Sequence, residues 1–98
     1  MSAPVIYLPG AEDDIVAAHA EYETHLEGLG DRFTRALRDQ VERIARMPEL
    51  YGEVAAGVRA TPLRHFPYVV YYRIDADSVV ILSVTHGRRA RQGWEDRI

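Results

Sequence analysis

The spacing of apolar residues changes once along this chain of 98 residues, and that change limits the folds it can adopt. Between residues 11 and 46 apolar residues recur every three or four positions, as on one face of a helix. From residue 68 to 85 the chain has two runs of β-branched and aromatic residues, which are typical of strands. Helices followed by strands predict an α+β domain in which a two-helix hairpin packs on one face of an antiparallel β-sheet.

The first half of the chain predicts one short strand and two helices. A run from Val5 to Leu8, closed by Pro9-Gly10, predicts an edge strand and a turn. Helix one is expected from Ala11, with one face formed by Ile15, His19, Tyr22, Leu26 and Leu29. Gly28 and Gly30 are expected to end it, and Asp31 to cap the next helix. Helix two is expected to bury Phe33, Leu37, Val41 and Ile44 and to end before Pro48.

The second half predicts three strands, which gives the element order β-α-α-β-β-β. A weak strand is expected at residues 58–61 after a loop at 49–57, and strong strands at 68–74 and 78–85. Asp75-Ala76-Asp77 leaves room only for a tight turn, so the two strong strands are expected to form a hairpin. Alternation predicts one sheet face under the helices and a second that is partly open. The residues expected to face the helices are Val70, Tyr72, Val80, Leu82 and Val84.

Length and composition predict a single domain spanning residues 1–98, located in the cytoplasm. The aliphatic run from Val79 to Leu82 is far too short to cross a bilayer, and Met1-Ser2-Ala3-Pro4 lacks the basic and apolar regions of a secretory signal. The absence of cysteine removes disulfides and thiolate metal sites. His19 and His25 are six residues apart and would lie on opposite helix faces, so we expect no metal and no cofactor.

Charge is distributed unevenly and includes no lysine. The 12 basic residues are all arginine, and the net charge is −3. Residues 1–31 contain seven acidic residues and no arginine, whereas residues 86–98 contain four arginines and two acidic residues. A pI near 5.7 argues against binding nucleic acid through bulk charge, but it leaves room for a local basic site near the C-terminus.

One stretch of the second half resembles a known superfamily. The residues are Arg64-His65-Phe66-Pro67-Tyr68-Val69-Val70-Tyr71-Tyr72-Arg73-Ile74, then Val79 to Val84, then His86-Gly87-Arg88-Arg89 with Trp94 and Arg97. This order resembles the RelE/ParE superfamily of type II toxin–antitoxin toxins, and the likeness covers nearly the whole chain. The resemblance implies a toxin of a plasmid-stabilisation or stress module. It also implies an antitoxin partner whose flexible C-terminal segment folds on the toxin, giving a hetero-oligomer.

Two mechanisms are known within that superfamily. RelE-like members are endoribonucleases that cut mRNA on the ribosome, whereas ParE-like members inhibit DNA gyrase. By the Pro-Tyr register, Val69 stands where the nucleases have an arginine. Of the lysine pair expected on the preceding strand, only one position is basic, Arg59, and the other is Thr61. Trp94 stands where some nucleases have a catalytic tyrosine. Because an indole is neither acid nor base, and because the whole chain is acidic, we favour a ParE-like gyrase inhibitor.

The candidate site residues follow from the same resemblance. Residues expected to bind the target are Arg64, Arg73, His86, Arg88, Arg89, Trp94 and Arg97. Were the chain a nuclease, its catalytic candidates would be Arg59, His86 and Arg88. Each has a plainer interpretation: the arginines as solvated or ion-paired charges, Trp94 as a residue packed on the sheet, and His86 as a turn residue. A non-toxic α+β module that only binds a protein also remains open.

Overall fold

A computed structural model describes residues 2–89 and 94–97, with only the backbone described for Arg89. Its elements are β1 (Val5–Tyr7), α1 (Pro9–His25), α2 (Leu29–Arg46), β2 (Glu53–Ala55), β3 (Val58–Pro62), β4 (Tyr68–Asp75) and β5 (Ser78–His86). Two short 3₁₀ turns follow at Gly87–Arg89 and Glu95–Arg97. Within the described residues, neither helix is long and apolar enough to span a membrane.

The five strands form one sheet in the order β1-β5-β4-β3-β2. The α+β class and the predicted β-α-α-β-β-β order are confirmed, with β1 at an edge as expected. Two details differ. β1 runs parallel to β5, while the other neighbours are antiparallel. The predicted loop at 49–57 contains the short strand β2, which extends the sheet beyond β3.

The helical hairpin turns earlier than the sequence predicts. α1 begins at Pro9, which suits the first helical turn because it needs no N–H donor there, and it ends at His25. Gly28 adopts a left-handed conformation with φ 86°, and α2 begins directly after it. The expectation that Asp31 caps α2 is wrong. Instead the Glu23 carboxylate of α1 accepts N–H bonds from Gly28 (3.0 Å), Gly30 (2.8 Å) and Asp31 (3.3 Å).

The main core lies between the hairpin and one face of the sheet. α2 contributes the four residues predicted for it, and α1 contributes small residues that let it lie close to the sheet. The buried members are Ala11, Ala18, Phe33, Leu37, Val41, Ile44, Leu63, Val70, Tyr72, Val79, Ile81 and Val84. Leu26, expected on the buried face of helix one, is 57% exposed because the helix has already ended.

A β-bulge in β5 overturns part of the predicted sheet face. Tyr71 pairs with Ser83 and Tyr72 pairs with Ile81, so Leu82 is the extra residue between the two pairs. Before the bulge Val79 and Ile81 face the helices, and after it Val84 does. The prediction was therefore right for Val84 and wrong for Val80 and Leu82, which lie on the other face.

That second face, called here the outer face, carries its own smaller apolar cluster. Val58, Tyr71, Val80, Leu82 and Trp94 are buried there. The Trp94 ring lies 5.9 Å from that of Tyr71 and is 8% exposed. The partly open face of the prediction is thus covered in part by the C-terminal segment.

Candidate functional site

One end of the sheet gathers basic residues from separate parts of the sequence. The last residues of β3 and β5 and the first residue of β4 lie here. The Gly87 N–H, just after β5, donates to the Pro67 carbonyl, just before β4, at 2.7 Å. This pairing holds the loop at residues 63–67 beside the end of β5. We call the four residues that lie at this end of the sheet the basic end of the sheet: Arg64, His65, His86 and Arg88.

His86 has a defined orientation within the basic end. Its ring meets the Tyr68 ring edge-on at a centroid distance of 5.4 Å. Its Nδ1 accepts the Arg88 N–H at 3.2 Å, so Nδ1 needs its lone pair and Nε2 carries the proton of the neutral ring. The imidazole therefore presents an N–H donor away from the turn, which suits recognition of a carboxylate or carbonyl oxygen.

The predicted target-binding residues do not form one surface. Arg64 and Arg88 are exposed at the basic end, and neither pairs with an acidic side chain among residues 2–89 and 94–97. Arg73 lies near the other end of β4, where its Nη2 is 4.0 Å from Asp75 Oδ2. The side chain of Arg89 falls outside the described residues. A role in target binding stays a prediction for all of them.

Arg97 and Trp94 are engaged in holding the C-terminal segment to the domain. Arg97 makes a bidentate pair with Asp14, at 2.7 Å from Nη1 to Oδ2 and 3.2 Å from Nη2 to Oδ1. Nη1 also donates to the Leu82 carbonyl at 3.1 Å. The hydrogen bond to Asp14 raises the pKa of Arg97 above its ordinary value, although burial acts against it. With Trp94 buried on Tyr71, both residues have structural partners within the chain.

The residues at the nuclease positions also contact their own chain. Arg59 Nη1 donates to the carbonyls of Glu49 (3.2 Å) and Tyr51 (2.6 Å). Thr61 is buried, and its hydroxyl accepts the Gln40 side-chain N–H at 2.9 Å. Val69 packs beside the apolar cluster of the outer face. Among these positions, only His86 at the basic end presents a group that could transfer a proton.

An open groove adjoins the basic end, between α1 and the final residues of β5. Its volume is about 640 Å³. The lining residues are Asp14, Ala17, Ala18, Glu21, Tyr22, His25, Tyr68, Val84, Thr85 and His86. Sequence reasoning missed this groove, because its walls come from α1 and from the ends of β4 and β5, which are far apart in the sequence.

A second cluster lies on the helical hairpin. His19, Glu23 and Asp31 place their side-chain ligand atoms within 4.8 Å of one another. His19 Nε2 is 3.0 Å from Asp31 Oδ1, and Glu23 already accepts the N–H groups that open α2. The close approach of the helices at Gly30 brings the three together, since a Cβ there would lie 2.6 Å from the His19 carbonyl oxygen. The cluster therefore has a structural explanation in helix pairing.

The helical hairpin, the five-stranded sheet and the basic end together define a small α+β domain of the RelE/ParE type. A family model described as "ParE toxin of type II toxin-antitoxin system, parDE" matches residues 5–91. The chain therefore belongs to the ParE toxin family. It is 33% identical over 79 residues to "Toxin ParE2" of Mycobacterium tuberculosis strains CDC 1551 / Oshkosh and ATCC 25618 / H37Rv, covering 80% of this chain and 75% of the relative.

A solved structure shows the same fold. The chain is similar to one from "Chromosomal ParDE TA system from P. aeruginosa", with a TM-score of 0.78 and 17% identity. The match covers 87% of this chain and 96% of that chain. The fold is therefore preserved over nearly the full domain despite a large change in sequence.

Proposed function

We propose that this toxin acts by binding and inhibiting DNA gyrase, and that a cognate antitoxin neutralises it. The proposal rests on one observation: the side chains at the positions expected of a nuclease are bonded or packed within this chain. Arg59 is bonded to two backbone carbonyls, Thr61 is bonded to Gln40 in the core, and Val69 belongs to an apolar cluster. RNA cleavage needs a base, a donor for the phosphorane charge and a general acid. Arg88 could supply the donor, but His86 is the one group among the candidate nuclease positions that could transfer a proton.

The basic end is the surface best suited to the target. Arg64 and Arg88 are exposed guanidinium groups with no acidic partner among the described residues, and His86 adds an N–H donor at the same end of the sheet. Planar forks of this kind bind carboxylates in pairs of charge-assisted bonds. A net charge of −3 is poorly matched to the dense phosphate field of the ribosome, whereas an acidic protein surface requires only a local basic patch.

An antitoxin partner is supported by the neighbour of known structure, which comes from a chromosomal ParDE TA system. The helical hairpin also leaves apolar side chains exposed, with Val16 at 68% and Leu26 at 57%. A partner segment that folds on this surface would bury them and offset its own ordering cost. The same partner, bound beside the basic end, would hinder access of the target.

The decisive experiment compares two targets with one protein. Purified toxin is added to gyrase supercoiling reactions and to ribosomes translating a defined mRNA. We expect loss of supercoiling or trapped cleaved DNA, with mRNA intact.

In a bacterial host, expression of the toxin alone should stop growth, and co-expression of the antitoxin should restore growth. Codon-positioned mRNA cleavage with normal gyrase would instead establish the nuclease and make His86 and Arg88 its catalytic candidates.

A pair of double variants tests the surface. Arg88→Ala with Arg89→Ala should weaken gyrase inhibition by roughly 30-fold or more, because two charge-assisted contacts contribute on the order of 2–5 kcal/mol. Arg35→Ala with Arg46→Ala is the matched control, since it removes two exposed arginines from α2 instead. Equal inhibition by both variants, with unchanged circular dichroism, would move the target surface to the outer face around Arg73.

A further inference from the structure

Three side chains that carry metal-ligating atoms meet on the helical hairpin. His19 and Glu23 are four residues apart on α1, so they lie on one face of that helix, one turn from each other. Asp31, in the first turn of α2, joins them from across the hairpin. The cluster therefore combines one imidazole with two carboxylates, and its members come from both helices.

The separations within this cluster suit a single divalent cation. A tetrahedral Zn²⁺ ion with bonds of about 2.0–2.2 Å holds its ligand atoms roughly 3.4 Å apart. His19 Nε2 lies 3.0 Å from Asp31 Oδ1, and the three ligand atoms are all within 4.8 Å of one another. The Asp31 side chain is 72% exposed and free to rotate, so small movements bring all three atoms to bonding distance of one ion.

Gly30 and its neighbours hold two of the three ligands in place. A Cβ on Gly30 would lie 2.8 Å from Glu23 Cγ and 2.8 Å from His19 Cδ2, so both side chains pack against its backbone. Cδ2 is bonded to Nε2, and the same contact therefore fixes the nitrogen that faces Asp31. The Glu23 carboxylate is fixed further by the N–H groups of Gly28, Gly30 and Asp31. Hydrogen bonds of this kind orient the carboxylate ligands of metal sites.

The Glu23 carboxylate still has room for a cation. An ionised carboxylate offers about four acceptor positions on its two oxygens. Oε1 accepts the N–H groups of Gly30 and Asp31, whereas Oε2 accepts that of Gly28 alone among the described residues. One acceptor position on Oε2 is therefore left for a metal ion.

The charge of the cluster favours a divalent cation over a proton. With a neutral imidazole, Glu23 and Asp31 give the cluster two negative charges. Neither carboxylate forms an ion pair with an arginine in the part of the chain that the structure describes. Residues 1–31 add five further acidic residues and no arginine. A proton on His19 offsets one of the two charges, whereas a divalent cation offsets both.

We propose that His19, Glu23 and Asp31 bind a divalent transition-metal ion such as Zn²⁺, which ties α1 to α2. This site is separate from the surface proposed for the target of the toxin. One imidazole with two carboxylates suits Zn²⁺ better than Mg²⁺ or Ca²⁺, which prefer oxygen ligands alone. Water completes the coordination, because the His19 and Asp31 side chains are 39% and 72% exposed. The expectation of no metal rested on the spacing of His19 and His25 and did not include a ligand from α2.

The test is a calorimetric titration of the full, untagged toxin with ZnCl₂, and we expect one saturable site. Loss of an outer-shell partner alone typically lowers metal affinity by about 10–100-fold, so Asp31→Asn and His19→Ala should each lower it by about tenfold or more. Asp31→Asn is the safer variant for folding, since its side chain is exposed. His25→Ala is the matched control: His25 also lies near an acidic residue of α1, Glu21 at 3.5 Å, but belongs to no cluster of three ligands among the described residues.

A second measurement uses the unaltered toxin, so it does not depend on how the variants fold. The NMR signals of the His19 ring should shift on addition of ZnCl₂, while those of His25 and His86 stay in place, and MgCl₂ should shift none of them. Zinc should also raise Tm in a concentration-dependent way, because it binds the folded hairpin.

Three results would overturn the site. They are the absence of saturable zinc binding, equal zinc affinity in Asp31→Asn and His25→Ala, and a zinc-induced shift at His25 or His86 in place of His19. None of these measurements involves gyrase or an antitoxin, so the metal site and the proposed function stand or fail separately.

Discussion

The ion pair between Asp14 and Arg97 should be a principal source of stability for the C-terminal segment. Arg97 packs closely on Gly10, since a Cβ on Gly10 would lie 2.6 Å from Arg97 Nε. Replacing Arg97 with methionine keeps an apolar side chain beside Gly10 but removes the guanidinium. Three bonds are lost: two to the Asp14 carboxylate and one to the Leu82 carbonyl. Asp14 then keeps the Val84 N–H as its remaining described partner.

The size of the loss lies between two limits. Exposed ion pairs contribute about 0–1 kcal/mol, whereas breaking a fully buried pair costs about 3–5 kcal/mol. The Asp14 and Arg97 side chains are 22% and 28% exposed, so they stand between the two cases. We expect Arg97→Met to lower the free energy of unfolding by about 2–3 kcal/mol, equivalent to roughly 10–20 °C in Tm for a domain of this size.

Urea unfolding followed by circular dichroism and by fluorescence of Trp94, the single tryptophan, measures this loss. Arg73→Met is the control, because its partner Asp75 is 4.0 Å away and 67% exposed, and we expect less than about 0.5 kcal/mol there. A double-mutant cycle with Asp14→Asn isolates the pair itself. The reasoning is refuted if Arg97→Met and Arg73→Met unfold at the same urea concentration with equal slopes.

Two further substitutions test the helix pairing and a buried phenol. Gly30→Ala should destabilise the domain by about 2 kcal/mol or more, because the new Cβ would lie 2.6 Å from the His19 carbonyl oxygen. Gly52→Ala is the control: a Cβ there has no atom within 4 Å, so the free energy of unfolding should change little. Urea denaturation of the two variants distinguishes them. Burial raises the pKa of Tyr72 from 10.0 to about 12. Between these two pH values the unfolded chain loses the phenol proton and the folded chain keeps it. The free energy of unfolding is therefore unaffected by this group below pH 10 and falls by about 1.4 kcal/mol per pH unit between pH 10 and pH 12. Tyr72→Phe also loses the bond to the Pro48 carbonyl but should show a shallower alkaline decline, and an identical decline in both proteins would contradict the assignment.

Local pattern was enough to predict most of the fold. Three predicted features depend only on residues close in sequence, and all three are confirmed: the buried face of α2, the end of α2 before Pro48 and the hairpin at residues 75–78. The bulge at Leu82 was beyond such reasoning, because Val79 to Leu82 are all apolar and no alternation shows which of them face the helices. The capping of α2 by Glu23 could not be predicted either. A helix cap is expected at the residue just before the helix, whereas Glu23 belongs to the preceding helix.

The arginines near the C-terminus show why the candidate site was only partly predictable. In the sequence, Arg88 and Arg97 belong to the same arginine-rich segment, and nothing local shows that only Arg97 pairs with a distant carboxylate. Their partners are decided by chain folding: α1 brings Asp14 beside β5, 83 residues from Arg97, and the pair also covers the backbone of Leu82 and Val84. Arg88 has no such neighbour among the described residues. One basic segment is thus divided between holding the domain together and presenting charge to a partner, and only the second part belongs to the proposed binding surface.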